Sequence, residues 1–159
     1  METIEFSQHD HARCIKSAVQ VVAERCTAER LQLTPVRRRV LEILLEEHRA
    51  MGAYDILEIL REEGLGAQPP VAYRALDFLT THGFAHRVER LNAFVACAHS
   101  DEDHVPAFLI CRVCDVVAEA PARDVRSALS DTAQSAGFTI ERATVEALGL
   151  CPNCQVSVE

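Results

Sequence analysis

Two Cys-x-x-Cys pairs constrain the fold of this chain more than any other feature of its sequence. They consist of Cys111 with Cys114 and of Cys151 with Cys154. Zinc prefers four thiolate or imidazole donors in a tetrahedron, and each Cys-x-x-Cys turn supplies two of them from one short segment. Because four protein ligands leave no coordination position for water or substrate, such a site is structural. The pattern predicts a zinc ion that ties the last part of the chain to an earlier segment.

Two disulfides, or a redox-active dithiol, are the alternative interpretations of the same cysteines. Disulfides belong to oxidising compartments, whereas the segment from Met1 to Asp10 has neither the basic start nor the apolar core of a secretory signal. No apolar run approaches the roughly 20 residues needed to cross a bilayer. The sequence therefore favours structural zinc and indicates a soluble, cytoplasmic protein with no membrane partner.

The formal net charge of −8 argues against nucleic-acid binding through the overall field of the protein. The acidic excess is concentrated after Arg90: the part up to Arg90 has 12 basic and 14 acidic residues, and the remainder has 4 and 10. The basic positions of interest in the first part are Arg37, Arg38, Arg39, Arg74, Arg87 and Arg90. A local basic face can bind DNA on an acidic protein. We expect the three consecutive arginines to meet phosphates or solvent.

Apolar periodicity and capping residues predict helices and a hairpin in the first part of the chain. The predicted helices run from about Asp10 to Cys26, onward from Thr34-Pro35, from Tyr54 to Glu63 and from Val71 to His82, and the predicted strands are Phe84–Val88 and Ala93–Ala96. Cys14 and Cys26 are expected to be small buried side chains of the first helix. This order is typical of a winged helix-turn-helix, in which the last helix before the hairpin enters the DNA major groove. A small helical domain that merely ends in a hairpin is the alternative.

The second part of the chain is richer in residues that favour strands. Strand-forming runs occur around Phe108–Ile110, Val116–Ala118 and Phe138–Leu148, and an amphipathic helix is predicted from about Ala122 to Ala136. So short a unit has a thin core, which zinc and a second copy of the chain would stabilise. The predicted fold class is α+β: a winged helix-turn-helix domain at 1–90, a hinge at 91–97, and a small α/β dimerisation and metal-binding domain at 98–159.

A second group of candidate ligands lies where these two parts meet. It consists of His86 in the first hairpin strand, Cys97 after the second, His104 in the following loop, with His99 as its competitor, and Glu119 after the first cysteine pair. Two imidazoles, a thiolate and a carboxylate suit zinc. A zinc hydrolase or deaminase needs an open coordination position and a separate acid–base group. The sequence has neither a His-x-Glu motif with its own Cys-x-x-Cys pair nor a His-Glu-x-x-His motif, which would supply them. We therefore expect no enzyme activity.

Several segments closely resemble the ferric uptake regulator superfamily and, within it, the zinc uptake regulator branch. They are Ala53-Tyr54-Asp55-Ile56-Leu57, the run from Pro69 to Leu79, Gly83-Phe84-Ala85-His86 and the two cysteine pairs. The resemblance spans roughly Leu33 to Cys154. Two departures stand out: Val71-Ala72 replaces the usual Thr-Val before Tyr73-Arg74, and Ser100–His104 replaces the His-His-Asp-His segment of the iron branch.

The resemblance implies a homodimeric, zinc-dependent transcriptional repressor of zinc-uptake genes that binds double-stranded operator DNA. By position, Cys111, Cys114, Cys151 and Cys154 match a structural zinc site, His86, Cys97, His104 and Glu119 match a sensory zinc site, and Tyr54, Tyr73 and Arg74 are the expected DNA contacts. Two zinc ions per subunit are expected, and the sensory ion would restrict the hinge to a pose that fits two DNA half-sites. An iron- or peroxide-responsive regulator is one alternative, although the soft thiolate of Cys97 argues against it. A zinc-stabilised interaction module without a DNA role is the other.

Overall fold

The computed structural model describes residues 11–47, 49–66, 68–98 and 105–156. The first part of the chain forms four helices and a hairpin: α1 (His11–Ala28), α2 (Pro35–Glu46), α3 (Ala53–Glu62), α4 (Pro69–Thr81), β1 (Ala85–Val88) and β2 (Ala93–Ala96). The second part forms β3 (Pro106–Cys111), β4 (Val117–Pro121), α5 (Arg123–Ser135), β5 (Val145–Gly149) and the short α6 (Pro152–Gln155). The predicted α+β class is confirmed, with the predicted order of helices and hairpin.

The helix boundaries follow from local chemistry. Thr34 caps α2 by accepting the backbone N–H of Arg37 at 3.4 Å, and Pro35 occupies the first turn, where no intrahelical donor is needed. The same tolerance of proline lets α4 begin at Pro69, two residues before the predicted start at Val71. Gly83 follows α4 with a φ of 74°, the left-handed conformation that glycine adopts without strain.

The four helices enclose one apolar core, closed on one side by the hairpin. Its fully buried members are Val40, Ile56, Leu60, Ala72, Leu79 and Ala85. Among the described side chains of α1, the first that is buried is Val19. Cys26 is therefore buried as expected, whereas Cys14, more than one turn before Val19, is exposed. The expectation of a buried Cys14 was wrong because the first turns of α1 extend beyond the core.

The hairpin is joined to the segment between α2 and α3. Strands β1 and β2 pair antiparallel, with His86 opposite Val95. Met51 and Phe94 exchange two backbone hydrogen bonds of 2.9 and 2.8 Å, which attach β2 to the helical body. Residues 93–96, which lie inside the segment predicted as a hinge, are therefore a paired strand of this hairpin.

The second part is a three-stranded sheet in the order β4-β3-β5, with β3 and β4 antiparallel and β3 and β5 parallel. Helix α5 makes the crossover that a parallel pair requires. Phe108 lies opposite Glu119 on one side and opposite Glu146 on the other. Of the predicted strand-rich stretch Phe138–Leu148, only residues 145–148 are in a strand, which ends one residue later at Gly149, and the preceding residues form an irregular loop.

The second unit leaves apolar surface exposed. None of the residues of α5, all within the described part of the chain, is buried. Val125 and Leu129 on α5 are 49% and 43% exposed, and Phe138 and Leu148 are 66% and 47% exposed. A unit of this size with such faces open to solvent has a thin core, as predicted. Among the described residues, no helix is long and apolar enough to cross a membrane.

Candidate metal centres and nucleic-acid interface

The four-cysteine cluster (Cys111, Cys114, Cys151 and Cys154) is assembled by the parallel pairing of β3 with β5. Cys111 ends β3 directly opposite Gly149, the last residue of β5, so the two Cys-x-x-Cys turns leave the sheet side by side. The first turn is closed by the backbone N–H of Asp115, which donates to the carbonyl of Cys111 at 3.0 Å, with Asp115 at a φ of 58°. The second is the first turn of α6, where the N–H of Cys154 donates to the carbonyl of Cys151.

The spacing of these thiols fits a tetrahedral zinc ion. All four sulfur atoms lie within 4.8 Å of one another. The sulfurs of Cys114 and Cys151 are 3.7 Å apart, close to the edge of about 3.8 Å that Zn–S bonds of about 2.3 Å give in a tetrahedron. A disulfide has a sulfur–sulfur distance of about 2.05 Å, and none of the seven cysteines, all in the described part of the chain, forms one. The geometry supports zinc over disulfides.

Protons are distributed unevenly over this cluster. Backbone N–H groups, first that of Cys151 and then those of Cys114 and Val113, stabilise the Cys111 thiolate and lower its pKa to about 6. A hydrogen bond with the Cys151 thiol, followed by burial, raises the pKa of Cys154 to about 12. At Cys114 a backbone hydrogen bond lowers the pKa, but burial and hydrogen bonds with two neighbouring thiols outweigh it, so that the pKa is raised. The Cys111 thiolate is thus favoured before a metal binds while Cys114 and Cys154 retain their protons, which metal binding displaces.

The sensor cluster (His86, Cys97 and Glu119) lies between the two units. His86 comes from β1 and Glu119 from β4, while Cys97 immediately follows β2. One donor atom from each lies within 4.8 Å of the other two. His104, the fourth predicted ligand, and its competitor His99 lie outside the described residues. The structure thus brings together three of the four predicted sensory ligands.

The distances within the sensor cluster are close to those of a zinc site and slightly longer. His86 Nε2 is 3.7 Å from Glu119 Oε1, and the same oxygen is 3.9 Å from the sulfur of Cys97. Zinc bonded to nitrogen, oxygen and sulfur donors gives edges of about 3.3–3.8 Å. The other carboxylate oxygen of Glu119 accepts the backbone N–H of Ala98 at 2.9 Å, which orients the carboxylate. The cluster is well shielded from water, since the side chains of His86 and Glu119 are only 14% and 5% exposed.

A cavity of about 420 Å³ lies next to the sensor cluster, between α4 and the second unit. Tyr73, Asp77 and Thr80 line it from α4, and Phe108 and Arg142 line it from the second unit. The helix predicted to contact DNA is therefore separated from the sheet by open space. The units touch through the hairpin and through the segment between α2 and α3, where Arg49 forms a bridge with Val116. Sequence reasoning did not anticipate this cavity, because it depends on how the units pack.

Tyr54 and Arg74 are exposed on the first unit, as expected of residues that contact a partner. Tyr54, near the start of α3, is 70% exposed, and Arg74 is exposed on α4. Tyr73 is 48% exposed but lies on the side of α4 that faces the cavity. The DNA role of these three residues stays a prediction.

The three consecutive arginines of α2 mainly contact this same chain. The Arg39 guanidinium bonds Glu63 at 2.8 Å and Glu46 at 2.7 Å, and its hydrogen bonds lower the pKa of Glu63. Arg37 stacks on the ring of Phe78 at 3.9 Å. The remaining arginine of the run, Arg38, pairs with Glu42 at 3.1 Å. Two of the three charges therefore face carboxylates of the first unit, and of these partners only Glu63 lies outside α2.

Comparison with known proteins places this architecture among metal-responsive regulators. The model of the ferric uptake regulator family matches residues 28–148. The zinc uptake regulation protein of Escherichia coli (strain K12) is 42% identical over 135 residues, which cover 84% of this chain and 78% of the relative.

Solved structures agree with the sequence comparison. A zinc uptake regulator complexed with zinc and DNA has a TM-score of 0.86 at 36% identity, with 90% of this chain and 96% of that chain covered. Holo XcZur has a TM-score of 0.81 at 40% identity, covering 88% and 98%. Apo XcZur, at 41% identity and coverage of 89% and 97%, has a TM-score of only 0.51.

Proposed function

Because the chain belongs to the ferric uptake regulator family, we propose that it is a zinc-responsive transcriptional repressor that binds operator DNA as a homodimer and controls zinc-uptake genes. The observation that carries the proposal is the sensor cluster, whose donors come from both units and sit at zinc-compatible distances. The similarity to a regulator solved with zinc and DNA supports the same conclusion. A regulator of this kind works in the cytoplasm and catalyses no reaction.

We assign two zinc ions to each subunit. The four-cysteine cluster would hold one with a stabilising role, because its four thiols complete a tetrahedron inside the second unit. The sensor cluster, with His104 as the fourth ligand, would hold the other. A mixed set of nitrogen, sulfur and oxygen donors suits zinc, and the oxidisable thiol of Cys97 disfavours an iron or peroxide sensor at this position.

We propose that residues 1–90 form the DNA-binding domain, 91–97 the hinge, and 98–159 the dimerisation and metal-binding domain. The first unit would contact DNA and the last would pair subunits, with Cys97 between them. Bound zinc supplies bonds that join donors from both units. His86 on β1 and Glu119 on β4 then fix the orientation of the hairpin on the sheet, and the hairpin carries the rest of the first unit with it.

The energetic consequence is a coupling between metal and DNA. Without the sensory ion, ordering two units to fit two half-sites opposes DNA binding. Couplings of this type are typically about 1–3 kcal/mol, or roughly 5- to 150-fold in affinity, and they are reciprocal. The closer match to holo than to apo XcZur at nearly equal identity supports assigning the described arrangement to the metal-loaded pose.

The exposed apolar faces of the second unit are the surface we assign to subunit pairing. Val125 and Leu129 on α5 and Leu148 on β5 are large apolar side chains open to solvent. Covering them with the same face of a second copy would complete the thin core. Two half-sites on one DNA face recur about one helical turn apart, or a multiple of it, which a twofold-symmetric dimer matches.

The zinc response is tested with Cys97→Ser. The duplex is first selected from a random-sequence pool by zinc-loaded wild-type protein, and its affinity is then followed during zinc titration at fixed salt. We expect the variant to fold, dimerise and keep the four-cysteine zinc but to lose the zinc-dependent gain in affinity. Cys14→Ser, an exposed cysteine on α1, is the matched control and should behave like wild type. Normal zinc-dependent binding by Cys97→Ser would remove the sensory assignment.

A DNA role is separated from a simple interaction module by Arg74→Ala. Arginine bonds guanine bidentately, and loss of such a pair costs about 1–3 kcal/mol of discrimination. We expect weaker and less specific duplex binding with unchanged dimerisation and zinc content. Arg38→Ala removes an exposed charge that pairs with Glu42 on α2 and serves as the control. Equal losses in the two variants would indicate a general charge effect rather than base recognition by Arg74.

A further inference from the structure

The hairpin lies across one face of the three-stranded sheet and is attached to it at two ends. Phe108 on β3 pairs with Glu119 on β4 and with Glu146 on β5, so these three side chains form a row on one face. Glu119 belongs to the sensor cluster at one end of the row. In the middle, the ring of Phe108 lies 5.9 Å from that of His86. The other end of the row takes no part in the sensor cluster.

At that other end, Glu146 holds the turn of the hairpin. Its two carboxylate oxygens accept the backbone N–H groups of Glu89 at 2.6 Å and of Arg90 at 3.0 Å. Arg142, from the loop before β5, donates to the carboxylate of Glu89 at 2.9 Å. We call these bonds the tip contact. Hydrogen bonds from N–H groups to a carboxylate are stronger than hydrogen bonds between two neutral groups. Because its two oxygens accept from adjacent N–H groups, the carboxylate also fixes the orientation of the turn.

An apolar contact lies between the two ends. Val88 at the end of β1 packs with Phe108 and Ile110 of β3, and all three are almost fully buried. This packing keeps water from the middle of the interface but does not by itself fix the angle of the hairpin, since apolar contacts are not directional. The directional bonds are those of the sensor cluster at one end and of the tip contact at the other.

We propose that Glu146 is a positioning residue that holds the hairpin turn on the sheet through bonds that involve no metal, so that in the metal-loaded pose the sensory ion has only the opposite end of the hairpin to fix. This proposal rests on the proposed function and adds a second determinant of the metal-loaded pose. It predicts that the affinity of the sensor cluster for zinc depends on a carboxylate outside that cluster. A looser tip enlarges the range of poses that zinc must restrict, which lowers zinc affinity.

The test compares Glu146→Ala and Glu146→Gln with wild type and with Glu141→Gln, a control that removes the same charge from an exposed position in the loop before β5. Protein already loaded at the four-cysteine cluster is titrated with zinc against a competing chelator, without DNA. We expect zinc affinity at the sensor cluster to fall roughly tenfold in the alanine variant. The fall should be smaller for glutamine, which retains one acceptor, and absent for the control.

Hydrogen exchange at the amides of Glu89 and Arg90 gives an independent readout that general destabilisation would not reproduce. We expect faster exchange there in both Glu146 variants, with the helical core of the first unit unchanged. Zinc affinity and amide exchange equal to those of the control would overturn the role of Glu146. If wild type itself shows no zinc-dependent duplex binding, the proposed function fails, and amide exchange still decides whether Glu146 holds the turn.

Discussion

The four-cysteine cluster and the sensor cluster are both zinc-compatible, yet they are built in opposite ways. The first lies within one unit, on two short turns that follow paired strands of the same sheet. The second draws His86 and Glu119 from separate units and Cys97 from the junction between them. A site made within one folding unit adds its binding energy to that unit's stability. A site made between units adds it to their relative orientation, which is why we propose a structural ion at the first cluster and a regulatory ion at the second.

The largest expected effect is the loss of the structural site in Cys151→Ser. Structural zinc contributes about 10–16 kcal/mol of apparent binding in small peptides, comparable to the whole stability of a domain. We expect the second unit to unfold and dimerisation to disappear, as measured by thermal unfolding and sedimentation alongside metal content. Cys14→Ser should leave all three unchanged. A stable dimer without this zinc would mean that the two clusters do not differ in the way described.

Chelation should separate the two ions in the wild-type protein. Exposure to EDTA at neutral pH is expected to remove one zinc per subunit first, with loss of duplex binding and no loss of the dimer. The sensor ion leaves first because part of its binding energy is consumed in ordering two units, whereas the four-cysteine ligands are already held together by the sheet. Added zinc should restore duplex binding. Simultaneous loss of both ions and of the dimer would contradict the comparison.

The smallest of these effects is expected from Glu119→Gln. Glutamine can still accept the Ala98 N–H through its carbonyl oxygen, but it is a neutral and poorer zinc ligand. The zinc concentration for half-maximal duplex binding should rise about tenfold or more, with thermal stability close to that of wild type. Glu141→Gln provides the charge-matched control. An unchanged zinc response would remove Glu119 from the sensory site and leave it a structural role, such as the bond to Ala98.

The sequence was most informative where a structure depends on neighbours along the chain. The start of α2 was predictable from Thr34-Pro35, because a capping hydroxyl and a proline act within one turn. The four-cysteine cluster was also predictable, because the two cysteines of each pair are only three peptide bonds apart and so lie close together in any tight turn. The sensor cluster is a harder case, since nothing local links His86 to Glu119. Its residues were grouped as candidate zinc ligands by their chemistry, and only the family resemblance gave them a sensory role, which stays a prediction.

What the sequence could not supply depends on register and packing. The strand-forming residues before Val145 remain a loop because only residues 145–149 pair with β3. Arg39 bonds Glu63 from the end of another helix, which no spacing rule anticipates. Glu146 holds the hairpin turn only because parallel pairing places it beside Phe108. Each of these outcomes is fixed by long-range contacts, for which single-sequence patterns carry little information.

The parallel pairing of β3 with β5 also affects the order in which the two units can fold during translation. The first unit can fold as soon as its hairpin has emerged, since the residues of its core extend no further along the chain than Ala96. The sheet of the second unit is complete only when β5 has been synthesised and pairs with the central strand β3. The turn around Cys151, which we expect to bind metal, is synthesised later still. An interrupted translation product would thus carry a folded first unit, to which we assign DNA contact, without the unit to which we assign subunit pairing.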